Sequence, residues 1–225
     1  MPTPQKFEDQ RQGMVADQLI SRGIRHQRVL SAFSKVPRHL FVPESHRMKS
    51  YTDHPLPIGE GQTISQPYIV ALMMELLSPE VTSRVLEVGT GSGYQTALLA
   101  ELASNIYSIE RIPLLAEGAS RLLKEMGYSN IQIRVGDGSL GWPEAAPFDR
   151  ILVTAAAPRV PPPLAEQLAE GGRLILPLGT SFSQVLTLVE RVQGDLRVRE
   201  TCSCVFVPLI GEHGWKEGQV AAEEH

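Results

Sequence analysis

Apolar residues change their spacing once along this chain, near Ser83. Before it they recur three and four residues apart, the signature of one helical face. Met14, Val15, Leu19 and Ile20 form such a stripe within 8–22, ended by Gly23, and Val29, Leu30 and Phe33 repeat it over 26–34. The two prolines of Val36-Pro-Arg-His-Leu-Phe-Val-Pro43 interrupt the pattern, and Tyr51 to Gly61, with Pro55, Pro57, Gly59 and Gly61, reads as loop. Pro67 has no amide hydrogen and suits a helix's first turn, and Ile69, Leu72, Met73, Leu76 and Leu77 follow at helical spacing. Residues 1–80 are therefore expected to form a helical cap rather than a sheet, with Ser65 or Gln66 capping the helix that Pro67 starts.

After Ser83, short apolar runs alternate with amphipathic segments. Arg84–Val88, Asn105–Ile109, Ile131–Val135, Asp149–Val153 and Arg173–Leu176 read as buried strands, with helices over Gln95–Leu102 and Leu114–Met126. Alternation of this kind is satisfied by a doubly wound, mainly parallel α/β sheet covered by helices on both faces. Gln184–Arg191 and Leu196–Val207, joined at Gly194-Asp195, read as longer antiparallel C-terminal strands, and Ala155–Pro163 as a stiff loop. The expected division is a helical cap with an active-site loop over 1–80, a cofactor-binding domain over 81–215, and a mobile tail over 216–225.

Composition narrows the partners. Twenty-one Lys and Arg against twenty-five Asp and Glu give a net charge of −4, which disfavours nucleic acid and anionic membranes as partners. No apolar run reaches the roughly 20 residues of a membrane span, and the polar start Met1-Pro-Thr-Pro-Gln-Lys6 lacks a secretory core, so a cytoplasmic location is expected. Cys202 and Cys204 are the only cysteines and read as packing residues, and the six histidines show no ligand spacing, so no metal site is expected.

The candidate chemistry lies at strand ends. Leu86-Glu-Val-Gly-Thr-Gly-Ser-Gly93 places three glycines between a strand and a helix, where a ligand can approach the backbone and meet free amides. Glu110 ends the second strand, where a carboxylate can accept both hydroxyls of a ribose, and Gly136-Asp-Gly138 ends the third, where Asp137 can take an adenine amino group. Three such features in register point to an adenosine-type cofactor. The dinucleotide fingerprint is displaced by one residue at Gly93, which weakens a nicotinamide reading, and a tighter glycine turn suits the amino-acid end of S-adenosyl-L-methionine. A nicotinamide-dependent oxidoreductase and a non-catalytic cofactor-binding protein remain open on these residues alone. Ahead of the sheet, Gly59-Glu-Gly-Gln-Thr-Ile-Ser-Gln-Pro-Tyr68 places Thr63, Ser65 and Gln66 at a loop-to-helix junction, with Gly59 and Gly61 as hinge or rigid turn positions.

Val85–Tyr94 together with Pro55-Leu-Pro-Ile-Gly-Glu-Gly-Gln-Thr-Ile-Ser-Gln-Pro67 closely resembles the protein-L-isoaspartate O-methyltransferase family, as do Val36–Pro43, Ser108–Arg111, Val135–Gly138 and Phe206–Leu209. The resemblance implies a Rossmann-like methyltransferase sheet whose last strands are ordered differently from the common pattern. It implies methyl esterification of the free α-carboxylate of L-isoaspartyl residues in peptides and proteins, by a monomer. Ser65 then stands at the active-site position. The implied cofactor set is Ile64, Gly89, Thr90, Gly91, Gly93, Gln95, Glu110, Arg111, Asp137 and Gly138, and the implied substrate set is Thr63, Ser65, Gln66, Val207, Pro208 and Leu209. Val205 departs from the family where a basic residue is common.

Overall fold

The first helix starts earlier than the apolar pattern suggests, because its start is set by polar chemistry. Thr3 accepts a hydrogen bond from the Lys6 amide and Pro4 occupies the first turn, so α1 spans Pro4–Gly13. The chain then widens into a π-helix over Met14–Ile20. That wider winding turns the stripe: Met14, Val15 and Leu19 are buried, whereas Ile20 is 42% exposed and leaves the expected apolar face. Helix α2 (Gln27–Lys35) buries Val29, Leu30 and Phe33 as the spacing required. This is a computed structural model and describes residues 3–217; of the expected tail only Lys216 and Glu217 are included, and 218–225 lie outside the described residues.

The stretch read as loop before Ser65 contains a small antiparallel hairpin. Strand β1 (Leu56–Gly59) pairs with β2 (Gln62–Ile64) through Leu56↔Ile64 and Pro57↔Thr63. Its turn residues Glu60 and Gly61 both have positive φ, at 52° and 67°, the geometry that lets two short strands follow their natural twist. Gly59 and Gly61 are thus turn positions of a hairpin, and residues 1–80 carry a small sheet in addition to helices.

Helix α3 (Pro67–Leu77) follows directly, with Pro67 in its first turn. The remaining chain builds a seven-stranded sheet from β3 (Arg84–Val88), β4 (Asn105–Glu110), β5 (Ile131–Val135), β6 (Phe148–Val153), β7 (Leu168–Gly179), β8 (Gln184–Val192) and β9 (Asp195–Cys204). The order is β5-β4-β3-β6-β7-β8-β9, parallel through β7 and antiparallel at β8 and β9. Beyond β7 the last strands lie side by side in chain order. The second antiparallel strand stops at Cys204 rather than Val207, because the Phe206 amide turns to the side-chain oxygen of Gln184 at 2.8 Å and leaves the ladder.

Strand alternation divides the core in two. Val85, Leu152 and Ile175 face a cluster that includes residues of α2, α3, α4 (Tyr94–Leu102) and α5 (Pro113–Glu125). Leu86, Ile151, Val153, Leu174 and Leu176 face the opposite cluster, with Leu164 of the short helix α6 (Pro162–Glu166), which begins inside the stretch expected as loop. Both faces are therefore covered, and the carboxyl ends of β3, β4 and β6 remain for ligands.

Candidate active site

The carboxyl ends of the parallel strands and the β1–β2 hairpin enclose a cleft of about 240 Å³. Thr63, Ile64 and Ser65 form one wall, the loop Gly89–Ser92 with Gln95 another, and Val207, Pro208 and Leu209 a third. The hairpin lies directly over the glycine loop. A Cβ added at Gly91 would come within 3.3 Å of Ile58 Cδ1, so the hairpin packs close against the glycine loop. At Gly89, where φ is 98°, an added Cβ would collide with Thr154 Oγ1. That hydroxyl donates to the carbonyls of Val88 and Gly89 at 3.0 Å and pins the start of the loop to the end of β6.

Glu110 closes the loop from the other side. Its carboxylate is 6% exposed and accepts from the Gly91 amide at 2.8 Å and the Ile112 amide at 2.9 Å. Both oxygens keep lone-pair capacity on the cleft side, which fits a pair of hydroxyl donors. Gln95 sits at the start of α4 with its Nε2 buried and without a partner, a donor suited to an acceptor group in the cleft. The glycine cradle and this orphaned donor fit the amino-acid end of S-adenosylmethionine, and Ile64, Thr90, Arg111 and Gly138 also line the cleft.

Three sequence-derived candidates stand elsewhere. Gly93 faces α5, where an added Cβ would meet Ala119 and Leu123 at 3.1 and 3.2 Å, so its task is helix packing. Gln66 turns away and donates through Nε2 to Asp53, at 2.7 Å to Oδ2 and 3.1 Å to the carbonyl. Asp137 accepts from the Ser139 amide and hydroxyl at 2.8 and 2.7 Å and from the Glu212 amide at 2.7 Å, which ties the C-terminal segment to the end of β5. The expected cap on α3 is also different. Neither Ser65 nor Gln66 caps it through a side chain; Asp53 takes the Tyr68 amide at 3.2 Å instead. Among the described residues no hydrogen bond holds the Ser65 hydroxyl, which lines the cleft.

Sequence reasoning missed Thr154 and Ala155, which line the cleft at the end of β6. The strand-end rule that found Glu110 and Gly138 would have found them if carried to the fourth parallel strand. It also missed a buried polar chain under the glycine loop. Glu87 and Ser108 are register partners on neighbouring strands. Glu87 Oε2 accepts from Ser108 Oγ and Thr96 Oγ1, both at 2.6 Å, and Thr90 Oγ1 meets Ser108 Oγ at 2.6 Å. Burial pushes the Glu87 carboxyl up to about 7, and its Oε1 has no partner.

That shift has a definite sign for stability. The folded form binds the Glu87 proton more tightly than the unfolded chain, so this contribution is full below pH 4.5 and is lost as pH rises towards about 7. Wild type is therefore expected to lose stability relative to Glu87→Gln across that window, by on the order of 3 kcal/mol. Urea unfolding of both proteins between pH 4 and 8 checks this, and a difference that does not change with pH contradicts it.

Glycines that admit a ligand at the end of the first parallel strand, a carboxylate at the end of the second and a capped cleft above them fit an adenosine-type cofactor on a Rossmann-like sheet. The model of the family described as protein-L-isoaspartate(D-aspartate) O-methyltransferase matches residues 10–214, and the chain belongs to that family. It is 54% identical over 210 residues to protein-L-isoaspartate O-methyltransferase 1 of Syntrophobacter fumaroxidans, covering 93% of this chain and 98% of the relative. A Syntrophus aciditrophicus relative of the same description is also 54% identical, over 213 residues, with 93% and 98% covered. Among solved structures, a protein-L-isoaspartate O-methyltransferase superposes with a TM-score of 0.83 at 30% identity, covering 91% of this chain and 67% of that one. A Plasmodium falciparum chain of that description, in complex with S-adenosyl-L-homocysteine, gives 0.77 at 26%, covering 89% and 98%.

Proposed function

We propose that this cleft esterifies the free α-carboxylate of L-isoaspartyl residues in peptides and proteins, with Ser65 donating a hydrogen bond to the carboxylate oxygen that does not attack. The observation that carries the mechanism is the composition of the lining. Among the described residues its titratable side chains are Glu110, Arg111 and Tyr94, with no histidine and no lysine. No general base is required, because a carboxyl group with an ordinary pKa near roughly 3.5 to 4 is already ionised at neutral pH. S-adenosylmethionine, when bound, supplies the sulfonium methyl. The chain's own task is to hold one carboxylate oxygen in line, fix the other and exclude water. A neutral hydroxyl does this without withdrawing charge from the nucleophile, as a paired arginine would.

In this reading Gly89, Gly91 and Gln95 hold the amino-acid end of the cofactor, Glu110 the ribose, and Gly138 the adenine end. Thr63 and Ser65 flank the substrate from the hairpin side. Val207, Pro208 and Leu209 flank it from the opposite wall, where the Val207 carbonyl and Leu209 amide are each joined to Ala156 at 2.8 Å. The anchored segment offers a firm edge for a polypeptide. Residues 1–80 would supply the acceptor wall and 81–215 the cofactor wall. The active unit in this reading is a monomer. The net charge of −4 argues against nucleic acid and anionic membranes as partners. Among the described residues no helix is long and apolar enough to cross a membrane, and both cysteines are free thiols, as suits the cytoplasm.

The ester formed is a better leaving group than the carboxylate, so attack by the neighbouring backbone nitrogen closes a succinimide and releases methanol. Repair of isoaspartyl damage begins there. Incubation with methyl-labelled S-adenosylmethionine and an isoaspartyl peptide is expected to give a base-labile methyl ester that decays to succinimide. The same peptide with a normal aspartyl link is expected to stay unlabelled, and equal labelling of both would refute the assignment.

A further inference from the structure

The main chain around Ser65 is held at two points by side chains that lie outside the cleft. The first is Arg38, in the short 3-10 turn Arg38–Phe41. It is fully buried, and it donates through Nε to the Ser50 carbonyl at 2.7 Å and through Nη2 to the Ser65 carbonyl at 2.8 Å. Its Cζ lies 4.9 Å from the centre of the Tyr94 ring, and Tyr94 both lines the cleft and starts the helix that follows the glycine loop. Arg38 Nη1 and the Tyr94 hydroxyl are buried polar atoms with no hydrogen bond of standard geometry, and the two side chains are each other's electrostatic partners. One guanidinium thus touches the carbonyl of the acceptor residue and the first residue of the cofactor helix.

The second is Asp53. Its carboxylate takes the Tyr68 amide and the Gln66 side chain, and its Oδ2 also pairs with Arg22, whose Cζ lies 3.4 Å over the Tyr68 ring. Residues 66 and 68, immediately after Ser65, are therefore anchored by a different segment from the one that anchors residue 65.

Stability alone is a poor reason for Arg38. Among the described residues no carboxylate lies within ion-pair distance of it, and a buried cation with incomplete partners costs more than an apolar side chain of similar size. Burial lowers its pKa to about 10, so it stays charged at neutral pH and keeps its donors. What such a group provides is direction: a planar fork with fixed donor angles sets the rotation of the peptide unit it holds.

We propose that Arg38 and Asp53 are positioning residues for methyl transfer, which clamp the main chain at Ser65 and just after it and reference it to the helix that carries the cofactor loop. The clamp orders the Ser65 hydroxyl before substrate arrives, so ordering is not charged against each turnover. The inference rests on the reading of Ser65 as the group that orients the carboxylate.

The test uses Arg38→Lys, Asp53→Asn, Ser65→Ala and the two doubles that combine each clamp variant with Ser65→Ala. Each is assayed for kcat and KM with an isoaspartyl peptide, for S-adenosylhomocysteine affinity by calorimetry, and for Tm. Arg38→Lys keeps the charge but not the fork, and is expected to lower kcat about 10- to 50-fold; Asp53→Asn is expected to lower it about 3- to 10-fold. S-adenosylhomocysteine affinity is expected to stay within about twofold, and each double to be no slower than Ser65→Ala within about twofold, because the clamp acts through that residue. A kcat within about twofold of wild type for both single clamp variants, or losses that multiply fully onto Ser65→Ala, overturns the clamp. If Arg38→Lys does not fold, the Asp53→Asn arm decides, since that side chain is partly exposed. Failure of the clamp leaves Ser65→Ala impaired and the clamp variants active. Failure of the Ser65 reading shows as a Ser65→Ala enzyme with full kcat, and that result overturns both.

Discussion

Glu110→Ala is expected to weaken S-adenosylmethionine binding by about 10²- to 10³-fold, with a much smaller change in kcat once the cofactor is saturating. Two losses combine in that number. The carboxylate at the end of β4 would accept the two ribose hydroxyls, and hydrogen bonds to a charged group contribute roughly 1.5 to 3 kcal/mol each. The same carboxylate takes the Gly91 and Ile112 amides, so its removal also frees the glycine loop that shapes the rest of the cofactor wall. Glu110→Gln separates the two effects poorly, because in either amide orientation its NH2 donor faces one of those two N–H groups. Calorimetric titration with S-adenosylhomocysteine is the direct measurement. An affinity unchanged in Glu110→Ala removes Glu110 from the cofactor site.

Ser65→Ala is expected to slow methyl transfer about 100-fold while KM for the peptide changes little. The effect is one of placement. Charge on the substrate carboxylate falls as it attacks a sulfonium methyl, so a donor to the other oxygen gains nothing from growing charge. Its value lies in holding the nucleophile in line, and a displacement of 1 Å is enough to cost on the order of 10²-fold. The Ser65 hydroxyl is well suited to this because no intramolecular bond must break before it binds substrate, while its own main chain is fixed through the Arg38 bond to its carbonyl. One neutral hydrogen bond contributes only about 0.5 to 1.5 kcal/mol to binding, which keeps the KM effect small.

The parts of the fold written in contiguous residues were legible. The apolar runs of β3 to β6, the glycine loop between β3 and α4, and Glu110 at the end of β4 all follow from local composition and spacing, and the structure places them together. What depended on distant partners was not. The β1–β2 hairpin has strands of four and three residues containing Pro57 and Gly59, so its alternation is too short to read, and its turn depends on a positive φ at Glu60. The α3 cap came from Asp53 rather than from the adjacent Ser65 or Gln66, and this choice is made by a loop that sequence order does not bring near. Ile20 left its stripe because the π-helical winding moved the register, a deviation that carries no compositional signal. Arg38 and Glu87 are charged residues whose burial became visible only with their partners in place. The Glu87–Ser108 pairing could have been anticipated, since both lie on parallel strands whose register the apolar residues fix.

The most direct test of the account is single-turnover methyl transfer by Ser65→Ala, with an isoaspartyl peptide and S-adenosylmethionine both saturating and the binding of each verified beforehand. The account predicts a transfer rate about 100-fold below wild type, with S-adenosylmethionine affinity preserved within about twofold and peptide affinity changed little. A transfer rate within about twofold of wild type would contradict it, and would move the carboxylate-orienting role to another group in the cleft.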